Sequence, residues 1–153
     1  MKESPENQKL EQLLRLSRLV AGGFMGSDTR SISEVIDADS TELTRLGFTK
    51  EQLAGRMQQI TKLAIPGLGT WVRVDDTKEV SVQEAKGSLV CPWPHPGRYA
   101  KRITTIRDVQ SSESISWSDL NMHLIGQHGF FGGRGSMFRI EPEALVRNIF
   151  EAQ

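Results

Sequence analysis

The chain's one cysteine and all three of its histidines fall between residues 91 and 128. Cys91 opens the stretch CPWPHPG, with His95 four positions on and prolines at 92, 94 and 96. His123 and His128 follow after a gap of 27 residues. Thiolate and imidazole are the ligands zinc prefers, and structural zinc sites take them in close pairs from two elements. One couple in a loop and one at a helix end have that division, and three to five residues between histidines is the spacing of finger-type sites. Cys91, His95, His123 and His128 are therefore candidate ligands of a single zinc ion. The prolines fix φ and restrict the unfolded loop, which would hold Cys91 and His95 ready for the metal.

Two features count against a finger-type site. The gap of 27 residues exceeds the twelve of an ordinary finger, and one cysteine with three histidines is not among the common structural sets. Positions five apart on an ideal helix also lie about 140° around it, so His123 and His128 converge only if His128 sits at the helix C-cap, just before Gly129. A competing reading makes Cys91 a small buried apolar residue and His128 a complement to the helix dipole.

Two kinds of catalysis can be set beside the structural reading. Cys91 could act as a nucleophile with a histidine as base, although no helix N-terminus stands before it to lower its pKa. A metal with three protein ligands and a water would be hydrolytic, with Asp119 or Glu113 as the nearest base, but no H-E-x-x-H occurs. These give a small metal- or thiol-dependent hydrolase as the alternative to a non-catalytic binding or regulatory module.

A second candidate is the glycine stretch GFFGGRGS, residues 129 to 136. The amides of Gly133, Arg134 and Gly135 could form a nest for a phosphate or carboxylate, with Arg98 or Lys101 completing a clamp. The competing reading is a tight turn anchored by Phe130 and Phe131 in the core. The stretch AGGFMG at residues 21 to 26 approaches a dinucleotide fingerprint, but a helix precedes it where that motif needs a strand, so it reads as a helix stop and turn. Trp93 in the proline loop is either an exposed anchor for a partner or a cap over the site.

The elements that must position these residues divide the chain at Pro66. Residues 1–66 read as helical: a first helix over 7–21, a short one capped by Ser31 or Ser33 through Ile36, and another from Ser40 to Leu46. A further helix is capped by Thr49 and Gln52, with Leu53, Met57, Ile60 and Ala64 on one stripe. Residues 67–153 form an α+β region. Alternation predicts a hairpin over 71–83, a strand broken at Gly87, a strand from Ser88 to Cys91 and another from Tyr99 to Val109. A helix capped by Ser116 or Ser118 carries Trp117, Leu120 and Leu124 inward, a short strand spans Met137 to Ile140, and a terminal helix opens at Pro142. The fold class is α+β: a helical N-terminal region packed on a small antiparallel sheet with two C-terminal helices, acting as one cooperative unit.

Composition narrows the function classes. The 153 residues carry 19 basic and 19 acidic side chains, balanced on both sides of Pro66, which is unlike the basic footprint of a nucleic-acid binder. The longest apolar run, Leu19 to Met25, is far short of the ~20 residues of a membrane-spanning helix. An acidic N-terminal stretch argues against a signal peptide and a lone cysteine against disulfides, so the expected setting is the cytoplasm. The expected partner is a protein or small molecule, and the chain could pair with itself.

Overall fold

Three of the helices start with the same device, a side chain that caps the first turn and is capped in return. The computed structural model describes residue 5 and residues 23–150; the helix expected over 7–21 lies outside them. Helix α1 (Ile32–Leu46) opens on Ser31, whose side chain accepts from the Glu34 N–H while Glu34 accepts from the Ser31 N–H. Thr49 and Gln52 do the same for α2 (Lys50–Ala64). Each such cap is worth about 1 kcal/mol.

Helix α1 is continuous where two short helices were expected. Ser40 stays inside it, its carbonyl accepting from the Thr44 hydroxyl, and Gly47 ends it with φ of 83°. That conformation favours glycine, which lets the chain turn into α2 within three residues. A 3-10 turn at Ile65–Gly67 follows α2 at Pro66.

Four antiparallel strands follow in the order β1 (Val72–Arg73), β2 (Lys78–Leu89), β3 (Tyr99–Asp108) and β4 (Ser114–Ser118). Asp75 Oδ1 accepts the N–H groups of Thr77 and Lys78 and so closes the expected β1–β2 turn. Gly87 does not break β2. The register shifts between Glu84 and Ser88, where β2 carries two more residues than β3; Gly87, with φ of 98°, lies in this bulge, after which pairing resumes at Ser88↔Ala100 and Leu89↔Tyr99. The proline loop is thus the connection of the β2–β3 hairpin, pinned at its base by Tyr99.

Helix α2 covers one face of the sheet. Leu53, Met57, Ile60 and Ala64 are buried with Val80, Val82, Ile106 and Trp117. At roughly 1.5 to 3 kcal/mol for each large side chain removed from water, this contact is a main source of stability. Inside it, Trp117 Nε1 donates to Thr61 Oγ1 at 3.0 Å, and the Thr61 and Thr104 hydroxyls pair at 2.7 Å. Trp117 reaches this place from β4 rather than from a helix as expected, because Ile115 to Ser118 pair along β3.

Ser118 ends β4 and caps helix α3 (Asp119–His128) in one residue, its oxygen accepting from the Asn121 N–H while Asn121 Oδ1 accepts from the Ser118 N–H. With no linker between strand and helix, the direction of α3 is set by the sheet. Gly126 lets α3 approach α2 closely: a Cβ there would lie 2.9 Å from the Ala54 Cβ. Residues 137–140 form no strand; Ile140 N–H bonds back to the Phe131 carbonyl before α4 (Pro142–Ile149) begins. The architecture is α+β, with α1 and α2 before the sheet and α3 and α4 after β4.

Candidate metal centre

The β2–β3 loop and the end of α3 bring Cys91, His95, His123 and His128 together, with one donor atom from each lying within 4.8 Å of all the others. The Nε2 atoms of His95 and His128 are 3.2 Å apart and those of His123 and His95 3.0 Å, while Cys91 Sγ is 3.5 Å from His128 Nε2. These four side chains could hold a metal ion.

Each of the four side chains has a physical reason for its place. Cys91 is 8% exposed, in an apolar cluster with Leu120, Leu124, Phe130 and Val35. The Trp93 N–H donates to its sulfur and favours the thiolate, but burial is the larger effect and pushes the thiol up from its ordinary value. A free thiol so placed is a poor nucleophile and a normal metal ligand, because a cation supplies the charge that burial denies. His95 is held by the loop, its N–H bonding to the Trp93 carbonyl at 2.9 Å and its Nδ1 lying 3.0 Å from the Pro96 carbonyl. A carbonyl only accepts, so that bond puts the proton on Nδ1 and leaves the Nε2 lone pair for the cluster.

His123 and His128 both lie within α3, and the cap position belongs to Gly129, with φ of 65°. The expected unwinding of His128 is therefore unnecessary. From these helical positions the two imidazoles still meet edge to face, with centroids 5.1 Å apart. His95 closes the remaining gap from the loop.

Around the donors stands a shell of aromatic rings. Trp93 lies flat on His128, 9° from parallel with centroids 4.1 Å apart, and leans on Phe130; of its two sequence readings, the cap is the one observed. Tyr99 stacks on His123 at 4.4 Å, and its hydroxyl is 3.0 Å from His123 Nδ1. Burial first, then its histidine neighbours and Lys50, lowers His128 to about 4; burial and His95 lower His123 as well. Both shifts favour the neutral imidazole, the form that binds metal.

Tyr99 is the residue of this cluster that the sequence pattern did not single out. It is the chain's one tyrosine and directly follows the loop, but strand alternation alone does not say which face it takes. The two acids considered as bases are both engaged: Asp119 Oδ2 binds Arg102 at 2.8 Å, and Glu113 is held by Arg147 and Asn148.

The glycine loop is built on the turn at 23–28. Gly133 N–H donates to the Phe24 carbonyl and Arg134 N–H to Asp28 Oδ2, while Ser27 N–H donates to the Arg134 carbonyl. The anion on the Arg134 amide is the chain's own Asp28, which also pairs with Arg30 at 2.6 Å. Phe130 and Phe131 are buried, as the turn reading expected. The Gly135 amide belongs to the same loop, whereas Arg98 and Lys101 lie at the β2–β3 hairpin, Arg98 donating to the Ser88 hydroxyl.

In comparisons with known proteins, no protein family, curated protein or solved structure matches the chain, so the function is argued from the geometry above. No helix among the described residues is long and apolar enough to cross a membrane.

Proposed function

We propose that the chain is a non-catalytic binding or regulatory module whose C-terminal half is organised by one zinc ion, held by Cys91 Sγ and the Nε2 atoms of His95, His123 and His128. The observation that carries this is the spacing of the donors. A tetrahedral zinc with Zn–N near 2.05 Å and Zn–S near 2.3 Å requires edges of about 3.3 Å between two nitrogens and about 3.6 Å between nitrogen and sulfur. Three of the six donor pairs are 3.0, 3.2 and 3.5 Å apart, close to those edges, and the others lie within 4.8 Å, a span that a bound ion would draw in.

Hydrogen bonding alone does not account for the arrangement. With its proton on Nδ1, His95 has one lone pair at Nε2, yet two other Nε2 atoms crowd it. A cation among the donors takes one lone pair from each ring and from the sulfur, which resolves the crowding. Imidazole with thiolate favours zinc over the hard cations, which take oxygen.

Four protein donors fill a tetrahedral shell and leave no position for the activated water of a hydrolytic site. Under this reading zinc ties the β2–β3 loop to the end of α3, and its binding energy is part of the folding energy. The surfaces so held would meet a protein or small-molecule partner, and a single free thiol suits a reducing compartment such as the cytoplasm.

Cobalt substitution tests the closed shell. The cobalt(II) protein should show the intense visible bands of a tetrahedral ion together with a thiolate charge-transfer band that disappears in Cys91→Ser. Weak five- or six-coordinate bands would contradict the four-ligand site and favour an open one.

A further inference from the structure

His128 belongs to two sites at once. Its Nε2 is part of the metal cluster, and the residue also lines a groove of about 300 Å³ between α1, the first turn of α2 and the end of α3. Ile36, Leu43, Phe48 and Phe131 give it an apolar side, Ser40, Thr44 and Thr49 line it as well, and Lys50 and Glu51 bring charge to it. That volume stands at the lower end of pockets that hold small molecules.

Metal-bound histidines almost always donate their second ring N–H to an acceptor. His95 has the Pro96 carbonyl and His123 the Tyr99 hydroxyl. Among the described residues, His128 Nδ1 has no such acceptor, and Lys50 makes no hydrogen bond or ion pair. The Lys50 stem crosses the end of α3, its Cδ 3.7 Å from where a Cβ on Gly129 would stand, and its charge acts on the His128 ring. His128 and Lys50 therefore line one groove, and neither the ring Nδ1 nor the ammonium group has a hydrogen-bond partner among the described residues.

The geometry points to a binding site for a small monocarboxylate with an apolar tail: its carboxylate accepts from His128 Nδ1–H and pairs with Lys50, and its tail lies against Ile36, Leu43, Phe48 and Phe131. Charge supports this choice. Zinc with one thiolate leaves a single positive charge beside His128, Lys50 adds another and Glu51 removes one, so the surplus matches a monoanion better than a dianionic phosphate. The assignment rests on the zinc reading, because the metal fixes the proton on His128 Nδ1 and supplies that charge. Carboxylate and zinc must then strengthen each other's binding by the same factor.

The test is titration of hexanoate into the full chain, followed by amide NMR shifts, with hexanol and inorganic phosphate as controls and zinc content measured in each sample. Zinc-loaded protein should bind hexanoate saturably, with shifts at Lys50, His128 and Gly129. Lys50→Met, which keeps the stem and removes the charge, should weaken it roughly ten-fold, and so should chelation of the metal. Zinc-loaded protein that binds hexanoate no better than hexanol, that prefers phosphate, or that is indifferent to Lys50→Met overturns the carboxylate site and leaves the metal site standing. Protein that takes up no zinc overturns the metal reading, and this inference with it.

Discussion

Replacing Tyr99 by Phe separates the metal from the fold around it. Phenylalanine keeps the ring that stacks on His123 at 4.4 Å and removes only the hydroxyl 3.0 Å from Nδ1. When zinc occupies Nε2, that hydroxyl accepts the Nδ1–H, which fixes the tautomer and raises the basicity of the ligating nitrogen. Losing such a partner costs 10- to 100-fold in metal affinity. His123 is only half-buried, so water replaces part of the lost bond and the lower end applies: about ten-fold, or about 1.4 kcal/mol. The assay is competition for zinc against a chromophoric chelator, with thermal unfolding of chelated and zinc-loaded protein alongside. The zinc-loaded variant should lose affinity and stability together, while the chelated variant should melt close to the chelated parent. An unchanged zinc affinity, or an equal loss of stability in the chelated form, would refute the reasoning.

Other predictions test what positions the site. Thr61→Val leaves the Trp117 N–H and the Thr104 hydroxyl without their buried partner, so denaturant unfolding should show a loss of about 2 kcal/mol; a loss under about 0.5 kcal/mol would mean the network contributes little. Gly133→Ala places a Cβ 2.2 Å from the Met25 carbonyl oxygen, so overpacking should cost roughly 1 to 3 kcal/mol, and a neutral effect would contradict the docking of the glycine loop on the 23–28 turn. The Arg30 side chain above all, aided by the Arg134 amide and against the effect of burial, holds the Asp28 carboxyl well below its ordinary 3.8. A carboxyl so depressed contributes stability that is complete above 3.8 and is lost as pH falls toward its folded value. Asp28→Asn should accordingly lower the melting temperature at neutral pH and narrow its gap to the parent in acid; a gap independent of pH would remove Asp28 as the loop's anchor.

The four donors were legible in the sequence because they are all the cysteine and histidine the chain has, and they fall in two couples. Their convergence was not, since the ideal helix angle between His123 and His128 argues against it, and no local pattern announces that the loop sets His95 Nε2 within 3.0 and 3.2 Å of theirs. Helix α2 was legible from the Thr49–Gln52 box, whereas Ser40 suggested a second start within α1 although its side chain caps nothing. Gly87 looked like a break because a bulge and a strand end share the same residue type. Trp117 fell on the border of two periods, where three residues do not distinguish strand from helix. The bond between Asp28 and the Arg134 amide joins positions 106 apart, and no local pattern announces it.

The most direct measurement is the metal content of tag-free protein by elemental analysis, for the parent and for Cys91→Ser. Close to one zinc per chain is expected in the parent, and its loss in a variant that stays soluble. Folded parent protein free of metal, with the same melting temperature before and after chelation, would contradict it and leave CPWPHPG a rigid hairpin loop over a buried thiol.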